Sequence, residues 1–156
     1  MKTADFAEQV ATRLSSVARD EQVGAEVVVK PAVSGTGPFV EVSPVGPSSA
    51  PPLSIHVFDI GYVAVTVGET AAGDWTDDVE PMLDTLEQLT RNLVLGKLSE
   101  EVVRGRRGKV WSSKLLVERD GKPETLWVRT SLPGLALFRR KETRTFPAYP
   151  PLRSGS

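Results

Sequence analysis

The chain has 156 residues, 40% hydrophobic and 25% charged, which is the balance of an ordinary globular domain and not of a disordered or membrane-embedded chain. Cysteine is absent, which excludes disulfides, thiolate catalysis, zinc thiolate sites and iron–sulfur ligation. The net charge of −1 hides a cancellation: 5 basic and 14 acidic residues lie in the stretch ending at Gly96 and 14 and 6 follow it, giving −9 and +8.

A chain of this length buries roughly two thirds of its unfolded surface, enough for one core without staples. The sequence predicts a single domain over 1–146 followed by a flexible tail over 147–156. Met1 to Arg19 carries Asp5 and Glu8 and lacks the basic start and long apolar run of a secretory leader, and no stretch approaches the roughly 18 apolar residues of a membrane span. A cytoplasmic location is expected. Arginine outnumbers lysine, Asn92 is the sole asparagine, and Ile55 and Ile60 are the sole isoleucines, a bias of GC-rich, bacterial coding.

Phe6, Val10, Leu14 and Val17 recur at helical spacing, widened by Ala7, Ala11 and Ala18, and predict an amphipathic helix over 4–20. Ala25 to Lys30 and Phe39 to Val45 alternate β-formers with polar residues around a loop from Pro31 to Pro38, which reads as a hairpin. Pro44 to Pro52 is a Pro-, Ser- and Gly-rich connection. In Leu53 to Gly68 a turn at Asp59, Ile60 and Gly61 opposes Val57 to Val63, Ile55 to Val65 and Leu53 to Val67, leaving Ser54, His56, Phe58, Tyr62, Ala64 and Thr66 on the other face.

A second helix is predicted over 78–95 from Met82, Leu83, Leu86, Leu89, Leu93 and Val94, with Asp77 or Asp78 as cap and Pro81 in its first turn. Gly96 either ends it or bends the path onward through Ser99, Glu100 and Glu101. Trp111 to Arg119 and Glu124 to Leu132 read as a hairpin around Asp120-Gly121-Lys122-Pro123, opposing Val117 to Leu126, Leu115 to Val128 and Trp111 to Leu132. Leu135 to Phe146 adds a further strand. The order implies an α+β fold: an antiparallel sheet of five to seven strands with two helices on one face.

Few residues carry chemistry. His56 is the only histidine, and without an oriented partner it reads as a half-exposed sheet residue. Asp74, Asp77, Asp78, Glu80, Asp84 and Glu87 gather at the second helix. Carboxylates there are favoured by the helix dipole, and their spacing fails the calcium-loop pattern, so neither metal nor cofactor is expected. Ser34-Gly35-Thr36-Gly37 lacks the following helix and lysine of a phosphate cradle. Arg104, Arg106, Arg107 and Lys109, with Trp127 and Arg129 beside them, form the candidate contacts to an anion or nucleic acid, although a sequence pI near 5.9 argues against a dedicated nucleic-acid module.

These features predict a non-catalytic bacterial interaction protein. It would bind and neutralise or escort a protein partner, such as a basic toxin or secreted effector, in the manner of an immunity protein, antitoxin or secretion chaperone, through the acidic surface of the second helix. The alternative is a nucleic-acid-binding or self-associating module that uses the basic C-terminal part, a homodimer among its forms. Both readings require opposite charges to stay apart after folding. Pairing of the basic segments with the acidic helix would remove both poles.

Overall fold

The computed structural model describes residues 1–31, 37–105, 107–130 (backbone alone over 127–130) and 140–152. Its first helix, α1, spans Thr3–Asp20 and buries Phe6, Val10, Leu14 and Val17, the stripe that the spacing defines. Five strands follow: β1 (Ala25–Lys30), β2 (Phe39–Pro44), β3 (Leu53–Asp59), β4 (Tyr62–Val67) and β5 (Thr70–Trp75). They form one antiparallel sheet in chain order. Helix α2 (Val79–Val94) comes next, capped by Asp78, whose carboxylate accepts from the Glu80 N–H at 3.3 Å. Strands β6 (Leu98–Arg104), β7 (Val110–Arg119), β8 (Lys122–Thr130) and β9 (Arg140–Thr145) make a second antiparallel sheet in the order β8-β7-β6-β9.

The α+β class and the helix–strands–helix–strands order hold. The expected single sheet is replaced by two, with nine strands among the described residues. The two helices pack on each other, α1 over β1 to β3 and α2 over β6 and β7. Their stripes and the inward faces of both sheets share one apolar cluster, in which Phe6, Leu14, Leu53, Ile55, Leu86 and Leu115 are wholly buried. Each such side chain contributes about 1.5–3 kcal/mol by leaving water.

The β3–β4 register is the predicted one, with Leu53 opposite Val67, Ile55 opposite Val65 and Val57 opposite Val63. Gly61 turns the chain at φ +75°, and a Cβ there would lie 2.3 Å from the Thr76 carbonyl oxygen, so only glycine fits.

Three local features complete the picture. Gly96, at φ +72°, ends the helix, one of the two courses the sequence allowed, and the chain enters β6, whose burial alternates so that Leu98, Glu100 and Val102 face inward. The β7–β8 turn is two residues long, because Asp120 and Gly121 both adopt positive φ (53° and 75°), the pairing suited to a tight hairpin. Val117 therefore opposes Glu124 and Leu115 opposes Trp127, with a register shift between Leu115 and Leu116 absorbing the difference. Strand β5 is built from Thr70, Ala71, Ala72 and Gly73, residues too small to signal a strand by themselves.

The segment after β9 was expected to be loose from Pro147 onward, yet it is held as far as Leu152. Tyr149 is 3% exposed, its N–H donates to the Val94 carbonyl at 3.0 Å, and its hydroxyl lies 2.9 Å from the Pro51 carbonyl and 3.1 Å from that of Val42. Pro151 bridges to Val23, and Leu152 N–H donates to Gln22 at 2.8 Å. A single aromatic ring anchors a segment whose composition alone reads as tail. Burial, reinforced by the Glu41 carboxylate, pushes the Tyr149 phenol above its usual value. The unfolded chain then loses this proton first as pH rises past roughly 10, so stability falls in the alkaline limb. Urea unfolding at a series of alkaline pH values should show that limb flattened in Tyr149→Phe, against a neutral-pH loss of about 1 kcal/mol for the hydrogen bond.

The two sheets meet at the β4–β5 turn. Glu100 is 0% exposed, yet four donors reach its carboxylate. Arg144 Nε and Nη2 approach Oε1 at 3.0 and 2.7 Å, while Glu69 N–H and Thr70 Oγ1 approach Oε2 at 2.8 and 2.6 Å. Glu69 in turn pairs with Arg104, which also meets Glu142 at 3.1 Å. The buried carboxylate thus ties the turn of the first sheet to β6 and β9 of the second.

Candidate functional site

Antiparallel pairing places alternate residues of the first sheet on its outer face, away from the helices. Registers carry one row across four strands: Lys30 opposite Phe39, Phe39 opposite His56, and His56 opposite Ala64. A second row continues through Tyr62 opposite Trp75. Phe58 joins them at the β3 bulge between Val57 and Asp59. The outcome is a ladder of rings. Phe39 stacks on His56 at 5.2 Å between centroids, His56 on Phe58 at 6.3 Å, and Phe58 tilts against Tyr62 at 5.1 Å. Lys30 Nζ lies 5.4 Å from the Phe39 centroid and 3.3 Å from Glu41.

The far end of this ladder faces water. Trp75, Phe58 and Tyr62 are 64%, 45% and 43% exposed. Ala64 and Gly73, opposite each other in β4 and β5, supply a low floor beside His56. Asp59 is exposed at the rim, its carboxylate accepting from the next residue's N–H at 2.7 Å. A neighbouring group of exposed rings on a rigid sheet is a contact surface in search of apolar area, and it brings little charge. His56 is half-buried within the ladder, as expected of a sheet residue.

The charged residues singled out from sequence are placed differently. Glu80, Asp84 and Glu87 do share one face of α2, but Arg13 of α1 reaches across to all three, at 3.6, 2.5 and 3.2 Å. Glu87 is also held by Arg91 at 3.3 Å. One cation against three carboxylates tempers the acidic face without neutralising it: helix pairing that the sequence could not specify brings the cation of one stripe onto the anions of the other. Asp77 is exposed, Asp78 is spent on the helix cap, and Asp74 of β5, opposite Val63, accepts from the Trp75 N–H. Arg13→Ala is expected to cost about 0.5–1 kcal/mol, less in high salt, as a thermal-melt series would register.

The basic set is scattered too. Arg104 is held by Glu69 and Glu142, whose hydrogen bonds, Glu69 first, raise its pKa above the usual value. Arg144 is spent on Glu100, and Lys114 and Lys141 on Glu101 at 3.3 and 3.2 Å. Arg107 and Lys109 are exposed at the β6–β7 turn. Arg106 and the side chains of Trp127 and Arg129 lie outside the described residues, as does the Ser34-Gly35-Thr36 part of the loop. Among the described residues no group of three or more histidine or carboxylate side chains is set to hold a metal. No described helix is long and apolar enough to cross a membrane.

Part of the aromatic site was legible: His56, Phe58 and Tyr62 fall on the non-core face of the predicted hairpin. Phe39 and Trp75 were missed, since only the β2–β3 and β4–β5 pairings bring them alongside. The available signal was aromatic residues at positions where alternation calls for polar ones. Comparison of the chain with protein-family models, curated proteins and solved structures found no match.

Proposed function

We propose that the protein is a non-catalytic binding protein that holds a protein partner on the outer face of its first sheet. The single observation that carries this reading is the ladder Phe39–His56–Phe58–Tyr62, extended by the exposed Trp75. Aromatic side chains pre-ordered by stacking offer large apolar area at little further entropic cost, the character of residues that dominate protein interfaces. The site is open and flat, which suits a polypeptide surface better than a small substrate. In its narrower form the reading is a cytoplasmic bacterial protein that neutralises or escorts its partner, of the immunity-protein, antitoxin or secretion-chaperone kind.

Nucleic acid is the weaker reading. Stacking rings would need a cationic groove alongside them, whereas this face presents Asp59 and Glu41, with Lys30 already beside Glu41. A capture experiment from the native host decides between surfaces. Immobilised wild-type protein should retain a partner that Trp75→Ala/Tyr62→Ala loses and Glu80→Lys/Asp84→Lys keeps. A partner retained by the aromatic variant and lost by the charge-reversed one would move the site to α2 and overturn the reading.

A further inference from the structure

Strand β1 is an edge, paired with β2 alone among the described strands. Its sequence from Glu26 to Lys30 is Glu-Val-Val-Val-Lys, symmetric about Val28 except that its two ends carry opposite charges. From this strand we infer that the protein forms a homodimer in which β1 pairs antiparallel with β1 of a second copy, the two-fold axis passing through Val28.

The hydrogen-bonding geometry selects that register. Val45 N–H donates to the Gly24 carbonyl at 2.9 Å, which fixes the sense of alternation along β1. Glu26, Val28 and Lys30 direct N–H and C=O towards β2, while Val27 and Val29 direct theirs to the open edge; the Ala25 N–H is taken by the Val23 carbonyl at 3.1 Å. Antiparallel partners must therefore match odd-numbered residues with odd-numbered ones. With the axis at Val28, Val27 exchanges both backbone bonds with Val29 of the second copy and Val29 with its Val27, making four in all. That same register sets Glu26 opposite Lys30 of the other copy twice. Moving the axis to Val27 would set Glu26 against Val28 and Lys30 against Gly24, and moving it to Val29 would set Lys30 against Val28, so neither register pairs the charges.

Packing and charge favour the same occupant. Val27 and Val29 oppose Val42 and Val40 of β2 on the core side, yet both remain half-buried in a shallow groove edged by Glu8, Ala11, Thr12, Ser15 and Arg19 of α1. Between the longer Glu8 and Arg19, the short Ala11, Thr12 and Ser15 leave room for a neighbouring strand. Glu26 is exposed and has no ion-pair partner among the described residues, whereas Lys30 is shared with Glu41 and the Phe39 ring. Charges on an edge strand ordinarily repel stray strands. Here their order admits another copy of this chain and puts unmatched charge against most others.

Sedimentation velocity over a concentration series, with amide exchange of the full chain, tests the pairing. The expected result is a monomer–dimer equilibrium in which the Val27 and Val29 amides gain protection as concentration rises, while those of Glu26, Val28 and Lys30 are protected throughout. Glu26→Lys places two like-charged pairs across the axis and should weaken dimerisation on the order of tenfold. Lys30→Glu should do the same, and mixing the two variants should restore a heterodimer, with circular dichroism confirming that each is folded. A monomer at every concentration, Val27 and Val29 amides whose protection ignores concentration, or a dimer indifferent to Glu26→Lys would overturn the inference.

Discussion

Replacing Glu100 by alanine is expected to destabilise the protein by about 2–4 kcal/mol, chiefly by leaving the buried Thr70 hydroxyl and the Glu69 N–H without an acceptor, since the half-exposed Arg144 returns to water. The loss has two parts. Arg144, the Glu69 N–H and the Thr70 hydroxyl lose their shared acceptor, and a void opens where a wholly buried side chain had been. Gly68 sharpens the argument. At φ +59° it approaches so closely that a Cβ would lie 2.7 Å from the Phe146 ring and 2.9 Å from Glu100 Oε1, so the turn packs directly on the buried carboxylate and no larger residue fits there. Urea unfolding should show the midpoint of Glu100→Ala well below that of the wild type. Arg144→Ala should also be costly, and the double variant should lose much less than the two single losses added together, because both remove the same contact. Strict additivity would mean that the seam does not depend on this pair.

The contrast between Glu100 and the apolar core explains what the sequence could convey. Helical stripes and the β3–β4 alternation are local patterns, set by one period along one segment, so α1, α2 and the Leu53–Val67 register were readable. Glu100 looked like part of a polar run after α2, since nothing in the segment Ser99-Glu100-Glu101 says which carboxylate meets Arg144, 44 residues later. Tyr149 gave no signal for the same reason: its acceptors lie on Val42 and Pro51. Charge pairing at long range was equally hidden. Arg13 and Asp84 are 71 residues apart, and α1 lying on α2 brings a cation onto the acidic face that the charge pattern along the chain does not show. Face membership could be read from a hairpin; partnership across elements could not.

For the aromatic ladder the expected signature is a large loss of binding at almost no cost in folding. Trp75 is 64% exposed, so Trp75→Ala should change stability by no more than about 0.5 kcal/mol. As the most exposed large ring of the surface it is the foremost anchor, and its loss should weaken partner binding by about 2 kcal/mol, roughly 30-fold. Tyr62→Ala should fall next, and the pair should be less than additive because Tyr62 and Trp75 are directly opposed in the β4–β5 register. Phe39 separates folding from binding: it is half-buried beneath the Lys30 ammonium and against His56, so Phe39→Ala should lower stability and binding together. Salt supplies an independent check by calorimetry. Contact through rings should be nearly indifferent to added salt, while contact through Glu80 and Asp84 would weaken as salt screens them. A partner whose affinity falls steeply with salt, and which ignores Trp75→Ala, would place the working surface on the helices instead of the sheet.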